Sequence, residues 1–404
     1  MMPKIALATV LKAIDDVRNF EKLGLFFAKQ SPDNQVHIIG FDNGNLPQAF
    51  SRTQTEGAAN SIFFHPLFRF SRHSLRRLGA GFGLLRWLMH YRPQTVLIGA
   101  VELLWVGFLY KIGYNCWVCC FFQNPKQKAL LLYDLRENYY RNIRYQNVYP
   151  AFLKKGLSAA VRLYERFCTL FYDKILVAER CYVFEIDFLS KRKYEIIENK
   201  FKPTAFLSDQ TSEKNKEKEK NEWLLTGTFT EAYGTLQGIL FFEKLCHFFP
   251  SPSLRLRIIG YAPSAAYRQK IKLAIENSCE AARIEAQILA EPLPPLQIWQ
   301  AMQRAEYLLL PYLPNASTEN CIPTKLYEGL FFKNKILLQN NIFWKSQFGT
   351  LPACFFTNFT ALDSNLFSDA AFLTWQKEIP AQITPLEAIL WQGEADKLAR
   401  FLRH

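Results

Sequence analysis

The 404-residue sequence is poor in the groups that announce a metal or redox centre, with only six histidines. Its nine cysteines form an odd set without regular spacing. The tightest group, Cys116, Cys119 and Cys120, stands in an apolar run, and no His or Cys cluster elsewhere has zinc-finger spacing. That pattern predicts buried free thiols in a reducing compartment. No dense Asp/His cluster and no Asp-x-Asp segment in a plausible loop is present, so neither a bound metal nor a cofactor is expected. The first ten residues lack the longer apolar region and small-residue cleavage site of a secretory leader. The best membrane candidate, 96–122, is interrupted by Glu102, Lys111 and Asn115, which argues against a bilayer span. The expected location is the cytosol, or a membrane surface that the chain does not cross.

What is present is the composition of a globule: 49% hydrophobic, 15% aromatic and 21% charged residues. The length suits two domains. The net charge of +13 is unevenly placed, since residues 1–202 carry 29 basic and 16 acidic groups and the remainder 20 of each. The two halves therefore face different partners.

Apolar runs at 5–10, 36–41, 95–98, 130–133 and 175–178 read as strands. A helix starts near Val17, capped by Asp15 or Asp16, with Phe20, Leu23, Leu25 and Phe27 on its apolar side. The second half repeats the pattern, with strands at 223–225, 254–259, 307–310 and 335–338 and helices at 235–249, 264–280, 295–304 and 323–332. Between them lies a charged run without a core residue. The prediction is an α/β protein: a basic Rossmann-like domain over 1–205, a linker over 206–222, a second Rossmann-like domain over 223–374, and amphipathic helices over 375–404. Such doubly wound sheets bind ligands at the carboxyl ends of their strands, and two of them face to face would form a cleft.

The segment 311–330 carries the chemistry. It leaves a buried strand, crosses a polar loop containing Glu319 and Asn320, and enters a helix at Pro323. A helix start offers unpaired amides and partial positive charge, which suit a diphosphate. Lys325 sits in the first turn, where a cation disfavours the helix unless an anion binds there. Glu328 follows on nearly the same face, where it can accept both hydroxyls of a ribose. A solvated ion pair on an ordinary helix is the other reading of these two residues.

Pro323-Thr324-Lys325-Leu326-Tyr327-Glu328 resembles the nucleotide-sugar-binding segment of glycosyltransferase family 4, the GT-B "glycosyltransferases group 1" enzymes of bacterial surface-polysaccharide type. Thr226-Gly227-Thr228 resembles the glycine loop that opens their donor domain, and 256–260, ending at Gly260, the next strand and turn. Tyr133-Asp134-Leu135-Arg136-Glu137-Asn138-Tyr139-Tyr140 is similar to the acceptor domain's strand-to-loop segment, and 197–200 to the stretch before the linker. The resemblance implies two Rossmann-like domains facing across a cleft, with final helices crossing back to the first domain. It implies transfer with retention from a nucleotide-diphosphate sugar, Glu328 on the donor ribose, and Gly227, Thr228, Gly260 and Lys325 around the donor.

The family's usual pair of glutamates, eight positions apart, is altered here. Counting back from Glu328 reaches Asn320, with Glu319 one place off. Tyr233 stands where the glycine loop's lysine is usual, and no glycine-rich turn follows the first strand. Phosphate neutralisation then falls to Lys325, Arg18 and helix N-termini, with Asp16 and Asn138 as further phosphate or acceptor contacts. Glu137, Glu319 and Asn320 are the catalytic candidates, although helix capping or hydrogen bonding is the alternative for Glu137 and Asn138. A departing nucleoside diphosphate gains negative charge, so cations and amides must sit where it develops. Two other functions share this fold: a scaffold or binding protein without turnover, and a nucleotide-sugar epimerase.

The basic half suggests a second partner. Arg69, Arg72, Arg76 and Arg77 interleave with Phe63, Phe64, Phe68, Phe70 and Leu75. They could form a nucleic-acid patch, a membrane-interface helix, or core residues with a solvated basic face; no nucleic-acid motif accompanies them. An anionic membrane surface, attracting each basic residue by about 1 kcal/mol, fits a glycan or lipid-linked acceptor.

Overall fold

Successive β-rich runs and helices build two α/β units, Met1–Ala205 with Trp391–His404, and Phe206–Leu390. The computed structural model describes residues 2–42, 44, 46, 50, 61–70, 74, 76–121, 128–146, 149–203, 218–377 and 386–403.

The first unit holds a seven-stranded parallel sheet: β1 (Lys4–Ala13), β2 (Gln35–Phe41), β3 (Ile62–Phe68), β4 (Thr95–Ile98), β5 (Leu130–Leu135), β6 (Lys174–Val177) and β7 (Tyr194–Ile196). Their order is β3-β2-β1-β4-β5-β6-β7. The chain therefore winds outward from β1 one way and from β4 the other, so the sheet reverses direction between these neighbours. Five consecutive residues of β2 and all four of β6 are buried, mostly apolar but with His37 and Lys174 among them, as in a sheet whose two faces are both covered by helices.

After β1 the backbone enters a seven-residue π-helix (Arg18–Gly24) and only then an α-helix (Leu25–Gln30). Helical structure was expected here, but its first turns are wider than α. Asp16 acts at the start, its Oδ1 accepting from the Asn19 amide at 3.1 Å.

The second unit is a six-stranded parallel sheet: β8 (Glu219–Thr228), β9 (Arg255–Tyr261), β10 (Ile284–Leu289), β11 (Ala305–Leu310), β12 (Lys335–Gln339) and β13 (Cys354–Thr357). The order β10-β9-β8-β11-β12-β13 places the reversal between β8 and β11. At its centre Trp223 of β8 stacks on Tyr307 of β11, with centroids 4.1 Å apart and planes 8° from parallel. Such a pair contributes about 0.5–1.5 kcal/mol beyond its burial.

Several expectations need correction. Of the charged linker 206–222, residues 206–217 lie outside the described residues, and Glu219–Glu222 already form part of β8. The arginine-aromatic stretch is not one surface: Ile62–Phe68 is an edge strand with Phe68 buried, and a helix starts at Arg76. Arg69 pairs with Asp42 at 2.6 Å and Arg77 with Glu102, while Arg72 and Leu75 lie outside the described residues. Cys116, Cys119 and Cys120 are exposed, because the helix Leu104–Phe121 buries its opposite face; Cys168, Cys181, Cys246 and Cys354 are buried.

That helix, with the turn before it, is long and apolar enough over Val101–Cys120 to cross a membrane by length and composition. Its buried side, including Leu104, Val106 and Tyr110, packs into the first unit.

The last helices divide. Ala370–Lys377 buries Phe372 and Trp375 in the second unit's core. Trp391–Arg403 buries Trp391, Ala395 and Leu398 in the first unit's core. Lys200 pairs with the buried Glu394 at 2.7 Å, and the Glu198 amide donates to the same carboxylate at 2.9 Å.

Candidate functional site

In the second unit, the loop after β8 and the loop after β11 come together beside the strand pair where the sheet reverses. Gly227, one residue before the end of β8, has φ +112°, a conformation that side chains resist. Gly260, its partner one residue before the end of β9, lies so close that a Cβ there would collide with the Gly227 carbonyl. The Leu313 amide donates to the Ala232 carbonyl at 2.9 Å, tying the two loops. Above that bond the rings of Tyr233 and Tyr312 lie 4.8 Å apart.

The helix Thr324–Phe331 begins after Pro323 with no side-chain cap. Its first amides therefore keep the positive end of the peptide dipole open to an anion. Lys325 Nζ lies 2.6 Å from Glu328 Oε2, both side chains being largely buried. A Cβ on Gly227 would meet Lys325 Cε at 3.2 Å, so the lysine stem passes directly over the glycine turn. Gly227, Gly260, Lys325 and Glu328 thus meet at the sheet's reversal, with Thr228 as the last residue of β8.

Beside them lies a cavity of about 500 Å³. Its walls include Tyr233, Tyr312, Glu319, Asn320 and Trp344. The helix Ile342–Phe348 after β12 and its cap hold this wall: Asn341 Nδ2 donates to the Glu319 carbonyl at 2.6 Å, and Trp344 Nε1 to the Cys321 carbonyl at 2.9 Å. Burial, and then the nearby Tyr233 and Glu328, raise the Tyr312 phenol above its usual range. It therefore stays a neutral hydrogen-bonding group near Glu328. Sequence reasoning missed Tyr312, Asn341 and Trp344. It also missed Lys270, which comes from the helix Ala265–Glu276 to pair with Glu231 of the glycine loop at 2.6 Å. Only folding joins these segments, and no local pattern marks them.

The first unit gathers charge at its own reversal point. Asp134, fully buried in β5, accepts Arg18 Nη2 at 2.7 Å and Arg18 Nε at 3.0 Å, and pairs with Arg136. Arg136 reaches Asp16 at 3.3 Å and donates to Asn19. Burial alone would raise the Asp134 carboxyl; the two guanidiniums outweigh it and hold it below the carboxylate range. Arg18 is thereby committed to Asp134, with its side chain only 5% exposed. Asn138 caps the helix Tyr139–Tyr145 through the Arg141 amide, accepts Arg162 at 2.6 Å and donates to Glu185 at 2.9 Å. Glu137 remains half-exposed, accepting from Asn142 and lying 3.9 Å from Lys12.

No protein-family model and no curated protein matches the chain. Solved structures do. Sucrose-phosphate synthase from Thermosynechococcus elongatus superimposes with a TM-score of 0.62 at 13% identity, covering 99% of this chain and 98% of that one. Anabaena HepE, in complex with UDP and glucose, gives 0.61 at 12% identity and 100% of both chains. The UDP-forming trehalose-phosphate synthase from Burkholderia xenovorans gives 0.62 at 10% identity, covering 100% and 99%. At these identities the likeness shows the fold, which is GT-B: two Rossmann-like α/β domains.

Proposed function

We propose that the chain is a glycosyltransferase that moves a sugar from a nucleotide-diphosphate donor to a glycan or lipid-linked acceptor. One observation carries this reading: Lys325 and Glu328 project from an uncapped helix start while the Lys325 stem lies over Gly227. The donor diphosphate would lie against the first amides of that helix and the Lys325 ammonium. Glu328 would accept the ribose hydroxyls.

In the reaction the bond from the anomeric carbon to the diphosphate oxygen breaks, and a bond to an acceptor hydroxyl oxygen forms as that hydroxyl's proton passes to the departing diphosphate. Charge then grows on the diphosphate. Lys325 and fixed amides stabilise it without needing to reorganise. Phosphate neutralisation by these groups, with no metal, and retention at the anomeric carbon complete the reading. Glu319 and Asn320, on the cavity wall, would contact the transferred sugar, and Glu137 is the carboxylate offered on the acceptor side. The buried ion cluster around Asp134 leaves Arg18 a structural role, so the proposal no longer needs it on phosphate. The biological setting that fits is cell-surface polysaccharide assembly, in the cytoplasm or at the inner face of its membrane.

A thermal-shift screen of UDP, GDP and CDP with their sugars tests the proposal. A ligand at a hundred times its dissociation constant adds about 2.7 kcal/mol of stability. One nucleotide series should raise the melting temperature; no response to any of them would remove the enzyme reading.

A further inference from the structure

The helix Ala151–Cys168 has a mixed inner face and an apolar outer one. An amphipathic helix of a soluble protein buries its apolar stripe and exposes charge. This one buries Ser158, Glu165 and Cys168. Outward it shows Phe152, 83% exposed, Leu163, 68%, and Phe167, 54%. With the exposed Gly156, Ala159 and Ala160 between them, these positions repeat at helical spacing and form one stripe. Burial of polar groups on the inner side is satisfied locally: Glu165 accepts from Tyr133 at 2.7 Å and from Arg162 at 3.1 Å.

The stripe does not stand alone. Phe167 meets Phe108 of the neighbouring helix Leu104–Phe121 with ring centroids 6.5 Å apart, and that helix adds the exposed Leu109 and Ile112. Its Trp105 in turn packs edge-on against Phe82 of the helix Arg76–Tyr91, 5.2 Å away and also exposed. Three helices packed side by side therefore present one continuous apolar surface, a feature that marks an interaction site on a soluble protein.

Charge says what kind of partner fits. Residues 76–167 contain fourteen Lys and Arg against four acidic side chains. All four acids are engaged within the unit: Glu102 by Arg77, Asp134 by Arg18 and Arg136, Glu137 by Asn142, and Glu165 as above. Arg86 and Lys155, both exposed, belong to the two outer helices that carry the stripe and Phe82; Arg166, also exposed, pairs with Asp187 at 3.3 Å. Apolar side chains among predominantly positive charge, with one acid, Asp187, opposed by Arg166, match a lipid interface, acyl chains below and anionic headgroups around.

We propose that this three-helix face docks the first unit onto an anionic lipid bilayer. As the place where a lipid-linked acceptor is met, it rests on the glycosyltransferase reading; as a surface it does not. Of the basic segment singled out in the sequence, Arg76 and Arg77 begin the helix that carries Phe82, with Arg77 paired to Glu102, while Arg69 lies before that helix and pairs with Asp42.

Flotation of the full chain with phosphatidylcholine vesicles, with and without phosphatidylglycerol, tests it. The protein should float with the anionic vesicles, and less as salt rises. Leu163→Glu with Phe167→Glu should lower that partition by about tenfold or more, and Lys155→Glu by less. Leu163 is 68% exposed and Phe167, which keeps ring contacts with Phe108 and Phe171, 54%, so the double variant should lose little stability and still unfold cooperatively. Phe152→Ser supplies a second comparison should the double variant misfold. Failure of the parent to float at low salt, or equal floating of parent and double variant, overturns the proposal. So does a dimer that the double variant converts to monomer while neither floats, which would make the face a self-association surface. Vesicle binding without any nucleotide-induced shift would uphold the face and remove the enzyme reading.

Discussion

Lys325 disfavours the helix it begins, and the fold tolerates it because Glu328 lies 2.6 Å away. On the proposed function Glu328→Ala removes a charge-assisted contact to the donor, weakening nucleotide binding by roughly 1.5–3 kcal/mol. Calorimetric titration checks this, and an unchanged affinity would displace the site. Asp134 makes a different kind of prediction. Two guanidiniums converge on it in a buried place, so Asp134→Asn leaves positive charge uncompensated. Destabilisation of roughly 3–5 kcal/mol should appear in urea unfolding. Lys325 and Glu328 were legible in the sequence because both belong to one helix turn, where spacing alone dictates proximity. The partners of Arg18 were not: Asp134 stands 116 positions away, and a charged side chain in a sequence does not announce its counter-ion.

At the scale of elements, the strands that sequence reasoning found are those buried on both faces, such as β4 and β12. Edge strands escaped it: β3, β7, β10 and β13 lie at sheet margins, where polar residues and short runs blur the period. The helix Ala151–Cys168 was overlooked as an element, and its mixed inner face has a measurable consequence. Burial raises Glu165 to about 7, against the opposing pull of Arg162 and the Tyr133 hydroxyl. The native state then holds a proton that the unfolded chain releases above its ordinary 4.5. Stability therefore falls as pH rises from about 4.5 to 7, by roughly 3 kcal/mol at most from this group. Glu165→Gln keeps an acceptor for Tyr133 and cannot titrate, so its melting temperature should lack that decline. The same slope in both proteins would assign the pH dependence elsewhere.

At the scale of the whole molecule, the chain's last helix serves its first unit. Trp391, Ala395 and Leu398 fill that core, Lys397 donates to the Ile196 carbonyl at 3.0 Å, and Lys174 donates to the Phe401 carbonyl at 2.6 Å. Leu398→Ala should cost roughly 2–5 kcal/mol as a core truncation. Hydrogen exchange should accelerate in β6 and β7 and stay unchanged in β8–β13; uniform acceleration would contradict separate cores. Alternating β-rich and amphipathic segments already specified two Rossmann-like units, because backbone hydrogen bonding and side-chain periodicity act over a few residues. The same locality made the turn at Pro323, with Lys325 and Glu328, readable in advance. Tertiary structure alone decided which charges cancel, which loops wall the cavity beside Glu319, and which apolar stripe is left facing outward. Those outcomes depend on contacts between distant segments, whose energies exist only once the sheets have assembled.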